Sequence, residues 1–278
     1  MLEPFQLPFV QRGLIEVLIL AVPAGLLGTW IVLRGLAFFS HAVGTATFPG
    51  LVLADGLGFA APLGAFAAAV LFAAGTSAGR RRGGQDAVVA LVLVGCLATG
   101  VILASDVFGS GAEIETLLFG SLLLVDGGDQ ALAAAAAVAT LLASALIGQH
   151  WLRAGFDPTF SDPAGPSPRI FDAVLLGLVA LSAVAALSAV GALLVAALFV
   201  LPAITARLLT ERLLSWQLLS VALVALEGTA GLWLSVKTDA PPGAAIACVA
   251  GAAFAVVGAV RIWAPRRATI AAGVTDAG

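Results

Sequence analysis

The stretch Arg34–Gly50, RGLAFFSHAVGTATFPG, places one histidine and several hydroxyl residues inside an otherwise apolar run. His41 and Thr45 are four residues apart, so on a helix their side chains share one face. The flanking sequence is just as apolar: 61% of the 278 residues are hydrophobic and only 10% are charged. Soluble domains carry about 25% charged residues. The composition therefore predicts a protein whose main solvent is the lipid bilayer.

Hydrophobic runs of about 20 residues predict helices that cross the bilayer. The predicted fold is all-α, a polytopic integral membrane helical bundle with eight or nine transmembrane helices. Residues 1–267 form a single transmembrane domain in this prediction, and residues 268–278 form a disordered tail. The stretch Thr116–Val125 is too short to cross and predicts an interfacial or re-entrant segment. The predicted spans lie near 13–33, 36–54, 57–76, 86–106, 130–149, 171–189, 190–206, 214–236 and 243–262.

The positive charges determine the predicted orientation. With the loop Gly79–Asp86 in the cytoplasm, all but two of the 13 Lys and Arg residues fall on the cytoplasmic side, the exceptions being Arg12 and Lys237. Asp126 and Asp129 then lie outside. The prediction is a multi-pass protein of the plasma membrane with a cytoplasmic C-terminus. A net charge of −3 does not indicate a nucleic-acid partner.

The longest predicted cytoplasmic connection is His150–Arg169, HWLRAGFDPTFSDPAGPSPR. A loop of this length between membrane helices is usually functional or disordered. Asp157 is a good helix N-cap and Pro158 suits the first helical turn, so the sequence predicts a short helix. Such a helix is suited to docking a cytoplasmic partner, and the alternative is a simple linker.

Six stretches occur in the same order as in a known protein family. The first, GLLGTWIVLRGLAFFSHAVGTATFPGLVLA, is similar to a family signature of Arg, a basic residue and Met-Ala-Phe, followed by Asp, His and Pro-Gly. The others are DAVVALVLVGCLATGVIL, LLFGSLLLV, GFDPTF, VGALLVAALFVLPAITARLL and GLWLSVKTDAPPGAAIACVAGAAF. Together they resemble the permeases of ABC importers that take up zinc, manganese or iron. The resemblance covers nearly the whole chain.

This resemblance implies a non-enzymatic, channel-forming permease subunit that moves a divalent metal ion into the cytoplasm. The ion is the substrate, and no resident cofactor is expected. The implied partners are a second permease copy in a homodimer, an extracytoplasmic metal-binding protein and an ABC ATPase. The sequence has no GxxxxGK[ST] phosphate-binding loop, in agreement with ATP binding by a separate subunit. That ATPase is expected to dock on Phe156, Asp157, Pro158 and Phe160.

The resemblance also indicates a metal site. The usual aspartate of the signature falls on His41 and the usual histidine on Thr45, although a hydroxyl is a poor ligand for a transition metal. Glu227 lies in the middle of an apolar span, where a carboxylate costs about 2.5–3.5 kcal/mol, so we expect it to face the interior. We predict that Glu227 replaces the missing acidic ligand. The alternatives are an interhelical hydrogen bond for His41 and a protonated packing carboxyl for Glu227.

Other residues are predicted to belong to the pathway or its gate. Asp55 ends the second span on the outer side, where it can guide a cation inward. Pro202 interrupts an apolar helix and favours a kink, and Pro49 belongs to the signature. Glu16, in the outer half of the first span, is expected to reach the headgroups or line an entrance rather than ligate the metal.

Two other functions remain open from the sequence. A permease for a metal chelate or another small solute is compatible with the changed ligand pair, because a chelate needs a wide polar pore and no direct ligands. An intramembrane enzyme with His41 and Glu227 as acid and base is the other function, but no HExxH motif is present in the sequence.

Overall fold

The structure is a computed structural model that describes residues 7–79, 85–107, 118–121, 125–156, 168–192 and 194–263. The predicted tail at 268–278 and the arginines at 80–82 lie outside these ranges. The regular structure of the described residues is helical, which confirms the all-α prediction. A π-helical turn, Leu103–Val107, follows α5. The α-helices are α1 (Pro8–Leu33), α2 (Ala37–Ala46), α3 (Phe48–Leu57), α4 (Ala61–Gly79), α5 (Gln85–Ile102), α6 (Gly127–Phe156), α7 (Pro168–Ala185), α8 (Leu187–Val190), α9 (Val195–Leu209), α10 (Leu213–Thr238) and α11 (Pro242–Trp263).

Six helical stretches of the described residues are long and apolar enough to cross a membrane. Three other apolar helices are shorter: Ala61–Gly75, Ile170–Ala185 and Val195–Leu209. The prediction of eight or nine spans is therefore not confirmed. One cause is that the chain leaves the helix after Val190, inside the predicted span 190–206, and the next helix begins only at Val195. The six long stretches are Pro8–Leu33, Ala37–Leu57, Val89–Val107, Gly127–Arg153, Leu213–Thr238 and Pro242–Trp263.

Helix α1 is the centre of one group of helices and packs against α6, α9 and α10. Small residues allow these close approaches. A Cβ added to Gly25 would lie 2.5 Å from the Val221 backbone nitrogen, and one added to Gly28 would overlap the Phe199 carbonyl oxygen. Without a hydrophobic driving force between helices in lipid, such close van der Waals packing is what holds them together.

Helices α2 to α5 form a second group beside the first. α3 and α4 meet where Gly50 faces Gly64, and a Cβ added to either glycine would overlap the carbonyl oxygen of the other. Gly100 of α5 likewise leaves room for the Phe48 ring. The two groups join where α2 packs against α7 and α9 and where α4 packs against α7. The Gly50 of the signature therefore has a packing role of its own.

The outer surface of this bundle differs from that of a soluble protein. Leu71, Leu91 and Leu146 are 73%, 75% and 77% exposed, whereas the carboxyl-bearing Glu16 and Glu227 are 0% and 5% exposed. Exposed leucines and enclosed carboxyls are expected when lipid is the outer solvent. This pattern supports the membrane prediction. The expectation that Glu16 reaches the headgroups is wrong, because the bundle encloses its side chain.

Candidate transport site

The two ends of the bundle differ in charge. Helices α1 and α6 run in the same direction. Near their starts, the Gln130 side chain donates a hydrogen bond to the Arg12 carbonyl oxygen (3.1 Å). Near their ends, the Trp30 and Trp151 ring centroids lie 5.6 Å apart. We call the end with their N-termini the acidic end and the other the basic end. The acidic end includes Asp55, Asp126, Asp129 and Asp239, and the basic end includes Arg34, Arg153, Arg207 and Arg212.

His41 and Thr45 lie in α2, one of the helices that join the two groups. His41 is half-buried, and no hydrogen bond joins its ring to another described residue. Thr45 is buried, and its hydroxyl donates a hydrogen bond to the His41 carbonyl oxygen (3.2 Å). Ser and Thr often bond in this way to their own helix. The imidazole is thus available to a ligand, whereas Thr45 offers only the lone pairs of its hydroxyl oxygen.

The helix that carries His41 breaks six residues later, at Thr47. There, the Thr47 backbone N–H and hydroxyl both donate hydrogen bonds to the Gly44 carbonyl oxygen, at 3.3 and 2.6 Å. Pro49 lies half-buried at the start of α3 and has no N–H to offer the Thr45 carbonyl oxygen. The Thr45 carbonyl oxygen instead accepts a backbone N–H at the cap that ends α2.

A second helix break lies beside the first. Residues 191, 192 and 194, between α8 and α9, are outside regular helix, and Gly191 has a φ of +82°. A Cβ added to Gly44 would lie 2.9 Å from the Ala192 carbonyl oxygen and 3.4 Å from Val195 Cβ, so α2 touches this segment directly. Interrupted helices at membrane depth occur where backbone lines a binding site or cavity. In the sequence, the signal for this segment was the abutting pair of predicted spans 171–189 and 190–206.

The structure does not bring Glu227 together with His41. Glu227 lies in α10, which packs mainly against α1, α9 and α11, whereas α2 packs mainly against α4, α5, α7 and α9. Neither Glu227 carboxyl oxygen has a hydrogen bond to a described residue. Within the described part of the chain, no group of three or more His, Cys, Asp and Glu side chains could hold a metal ion. A direct His41–Glu227 ligand pair is therefore not formed in this conformation.

The remaining predicted site residues occupy separate positions. Asp55 is exposed near the end of α3, at the acidic end. Pro202 is buried inside α9, which packs against both α2 and α10. Phe156 is the last residue of α6. The other predicted docking residues, Asp157, Pro158 and Phe160, lie outside the described residues.

The ends of α6 and α7 are joined at the basic end. The His150 and Phe171 rings stack at 4.2 Å, and the Trp151 indole nitrogen donates a hydrogen bond to the Phe171 carbonyl oxygen (2.8 Å). In the next position of α7, Asp172 forms an ion pair with Arg34 (2.7 Å), at the junction of α1 and α2. The base of the predicted docking loop is thus connected to the start of the His41 helix.

The comparisons with known proteins agree with the resemblance. The sequence profile of the ABC 3 transport family matches residues 6–261. The manganese transport system membrane protein MntC of Halalkalibacterium halodurans is 30% identical over 250 residues, which cover 89% of this chain and 86% of that protein. The probable iron transport system membrane protein of Haemophilus influenzae is 30% identical over 188 residues, 66% of this chain and 68% of that protein.

A solved structure gives the same answer for the fold. The structure described as PsaBC from Streptococcus pneumoniae in complex with Fab superposes with a TM-score of 0.82 at 27% identity, covering 92% of this chain and 93% of that chain. The family profile extends over most of the described helices and far more than half of the sequence. The chain therefore belongs to the ABC 3 transport family.

Proposed function

We propose that this chain is the permease subunit of an ABC importer that moves manganese or iron, as a divalent ion, into the cytoplasm. The family supports an ABC permease, and the two relatives named above are described as manganese and iron transport proteins. The structural observation that carries the proposal is the half-buried His41 ring, free of hydrogen bonds to described residues, beside two helix breaks. A neutral imidazole can ligate either metal.

In this proposal His41 supplies the nitrogen ligand of a weak, partly hydrated metal site. The Thr45 hydroxyl oxygen, backbone carbonyl oxygens of the segment after Gly191 and water complete it, since manganese accepts carbonyl, carboxylate and water oxygens. A weak site suits a transporter because the ion must also leave. Glu227 acts at a separate point of the pathway. We place the gate at Pro202, because α9 contacts both the His41 helix and the Glu227 helix.

An ATPase on the basic end drives the transport cycle in this proposal. It docks on Phe156, Asp157, Pro158 and Phe160, and the rigid contacts of Phe171 hold the base of that loop. Movement of α7 then reaches α2 through the ion pair between Asp172 and Arg34. ATP hydrolysis in the partner would in this way change the access to His41.

The acidic end faces outward in this proposal, and the C-terminus is cytoplasmic. The distribution of positive charge supports this orientation, because the described Arg residues concentrate at the basic end. An extracytoplasmic metal-binding protein delivers the ion to the acidic end, where Asp55 is exposed. Two permease copies form the complete transporter as a homodimer.

Metal accumulation tests this function. A host that lacks its own manganese and iron importers would express the permease with its ATPase and metal-binding protein, and the uptake of radioactive manganese and iron would be measured. We expect one of the free ions to accumulate only when the permease is present. Substituting Asp157 and Phe160 together should abolish co-purification of the ATPase. Accumulation that is the same with and without the permease would contradict the proposal.

A permease for a metal chelate is the second candidate. The observation that favours it is the Thr45 hydroxyl, a weak metal ligand whose proton is already engaged with the His41 carbonyl oxygen. The same uptake assay separates the two candidates when each metal is supplied free and as a chelate. Uptake of the chelate alone would favour the second candidate, and uptake of the free ion alone would exclude it.

A further inference from the structure

Residues 188–192 contact the His41 helix on the side of the acidic end. α2 begins just after Arg34 at the basic end and runs toward the acidic end. Gly44 is therefore nearer the acidic end than His41, by about 4–5 Å along the helix axis. A Cβ added to Gly44 would lie 2.9 Å from the Ala192 carbonyl oxygen. An ion that moves along α2 from the acidic end meets this contact before it reaches His41.

Backbone packs directly on backbone around this segment. Residues 118–121, part of the stretch predicted as interfacial or re-entrant, lie on one side of it. The Ser121 backbone N–H donates a hydrogen bond to the Ser188 carbonyl oxygen (2.9 Å). A Cβ added to Gly191 would overlap the Gly120 backbone nitrogen. The two stretches of chain therefore fit together only because these positions have no side chain.

The start of α11 covers another side of the segment. A Cβ added to Gly243 would overlap the Val190 carbonyl oxygen. Val190 and Ala192 are each only 1% exposed. In this conformation the segment is closed to the surroundings of the bundle.

Two glycines give the segment the means to move. Gly191 and Gly120 have φ angles of +82° and +78°, which residues with a side chain rarely adopt. Hinges are a few residues at the ends of structural elements that absorb large changes in backbone angles. Gly191 has this position, because it follows directly after α8.

A side-chain hydrogen bond ties the segment to α6. The Ser188 hydroxyl donates a hydrogen bond to Asp129 Oδ1 (2.8 Å). Asp129 is itself held at the start of α6, where its Oδ2 accepts a hydrogen bond from the Asp126 backbone N–H (3.0 Å). A hydrogen bond to a carboxylate is stronger than one between neutral groups. Asp129 thus fixes the position of the segment from the acidic end.

We propose that residues 188–192 form an outer gate between the acidic end and His41, and that the Asp129–Ser188 hydrogen bond holds this gate closed. The inference rests on the proposed function, since a gate presupposes a transport site at His41. Alternating access requires a barrier on each side of the site. Pro202, farther along the chain toward the basic end, belongs to the other barrier. Asp129 is a positioning residue, which acts on the gate through Ser188 and does not ligate the ion.

The accessibility of Ala192 tests this proposal without transport. The full-length permease carries Ala192→Cys, and its native cysteines, Cys96 and Cys248, are replaced by Ala. The protein is placed in lipid nanodiscs, and the rate of labelling by a membrane-impermeant maleimide is measured. Because Ala192 is enclosed, we expect this background to be labelled slowly.

Removal of either partner of the hydrogen bond should open the gate. We expect Ser188→Ala to accelerate labelling by at least about tenfold, as for loss of a hydrogen bond to a charged group. Asp129→Ala should accelerate it as well, which keeps the test usable if the Ser188 variant folds poorly. The double variant should be no faster than the faster single variant, because both changes remove the same hydrogen bond. Ser188→Thr keeps the hydroxyl and should restore the slow rate.

Gln130→Ala is the matched control. Gln130 follows Asp129 in α6, but its side chain bonds to the Arg12 carbonyl oxygen of α1 instead of to the gate. This variant should be labelled at the background rate. An unchanged rate in Ser188→Ala, additive acceleration in the double variant, or equal acceleration by Gln130→Ala would overturn the proposed latch. Because labelling involves no uptake, such a result leaves the transport function to the metal-accumulation assay.

Discussion

Removal of the Glu227 carboxyl should make the permease more stable and less active. Glu227 is 5% exposed, and neither carboxyl oxygen has a hydrogen bond to a described residue. Met has nearly the same length, is unbranched and fills irregular interior space. Because the Glu227→Met substitution removes a buried polar group that lacks partners, we expect a gain of about 1–3 kcal/mol in the free energy of unfolding. Transport should fall, because the proposal assigns the carboxyl to the pathway.

The assay needs two measurements on the same preparations. Unfolding is followed in one detergent for wild type and Glu227→Met, and manganese uptake is measured at equal membrane abundance. Leu226→Met is the matched control, because Leu226 is the preceding residue and is 66% exposed on the outside of the bundle. This control should change neither quantity beyond about 0.5 kcal/mol.

Two results would refute this reasoning. If Glu227→Met is less stable than wild type, the carboxyl has a stabilising partner, and its burial is structural. If stability rises but uptake is unchanged, Glu227 is a packing residue outside the pathway.

Two further substitutions test the packing and the coupling. Gly44→Leu should abolish uptake and cost about 1–3 kcal/mol of stability, because its Cβ would lie 2.9 Å from the Ala192 carbonyl oxygen. Gly177→Leu is the control and should be tolerated, because no atom lies within 4 Å of a Cβ at that position. Equal uptake in both variants would contradict the contact between the helix breaks. Asp172→Asn should change stability by less than about 1 kcal/mol, since the ion pair is partly exposed, but it should lower the number of ions transported per ATP hydrolysed. Glu211→Gln, which changes an exposed carboxylate at the basic end, is its control, and an unchanged ratio in Asp172→Asn would exclude the ion pair as the coupling contact.

The helical fold and the family could be predicted because they depend on features spread along the chain. Apolar runs of spanning length must form helices, since lipid offers no hydrogen bonds to the backbone. The stretch from Arg34 to Gly50 resembles the family signature except at His41 and Thr45, and later stretches keep the same order. Burial of Glu227 followed from the cost of exposing a carboxylate to lipid.

The helix breaks and helix neighbours could not be predicted in this way. The sequence from Ala189 to Val200 has no polar residue to mark the non-helical segment after Gly191. Only the packing of Gly44 against Ala192 shows that it lies beside the His41 helix. The predicted pairing of Glu227 with His41 required α10 and α2 to be neighbours, and the order of apolar runs along the chain does not determine which helices are neighbours.

The position of Glu16 depends on another long-range contact. The sequence locates this residue in the outer half of the first span, from which a free helix could extend its carboxyl to the headgroups. The helices packed on α1 enclose it instead. Contacts of this kind join residues more than a hundred positions apart, as in the hydrogen bond between Gln130 and Arg12, and hydropathy carries no information about them.

The most direct test of the central claim is manganese uptake by the purified transporter carrying His41→Ala. The permease, its ATPase and its metal-binding protein are reconstituted in liposomes, and ion uptake and ATP hydrolysis are measured together. Phe38→Ala is the control, because Phe38 lies in the same helix and is 40% exposed. The account predicts that His41→Ala lowers uptake by about 10–100-fold while ATP hydrolysis persists, as for loss of a residue that supports metal binding. Uptake at the wild-type rate in His41→Ala would contradict it.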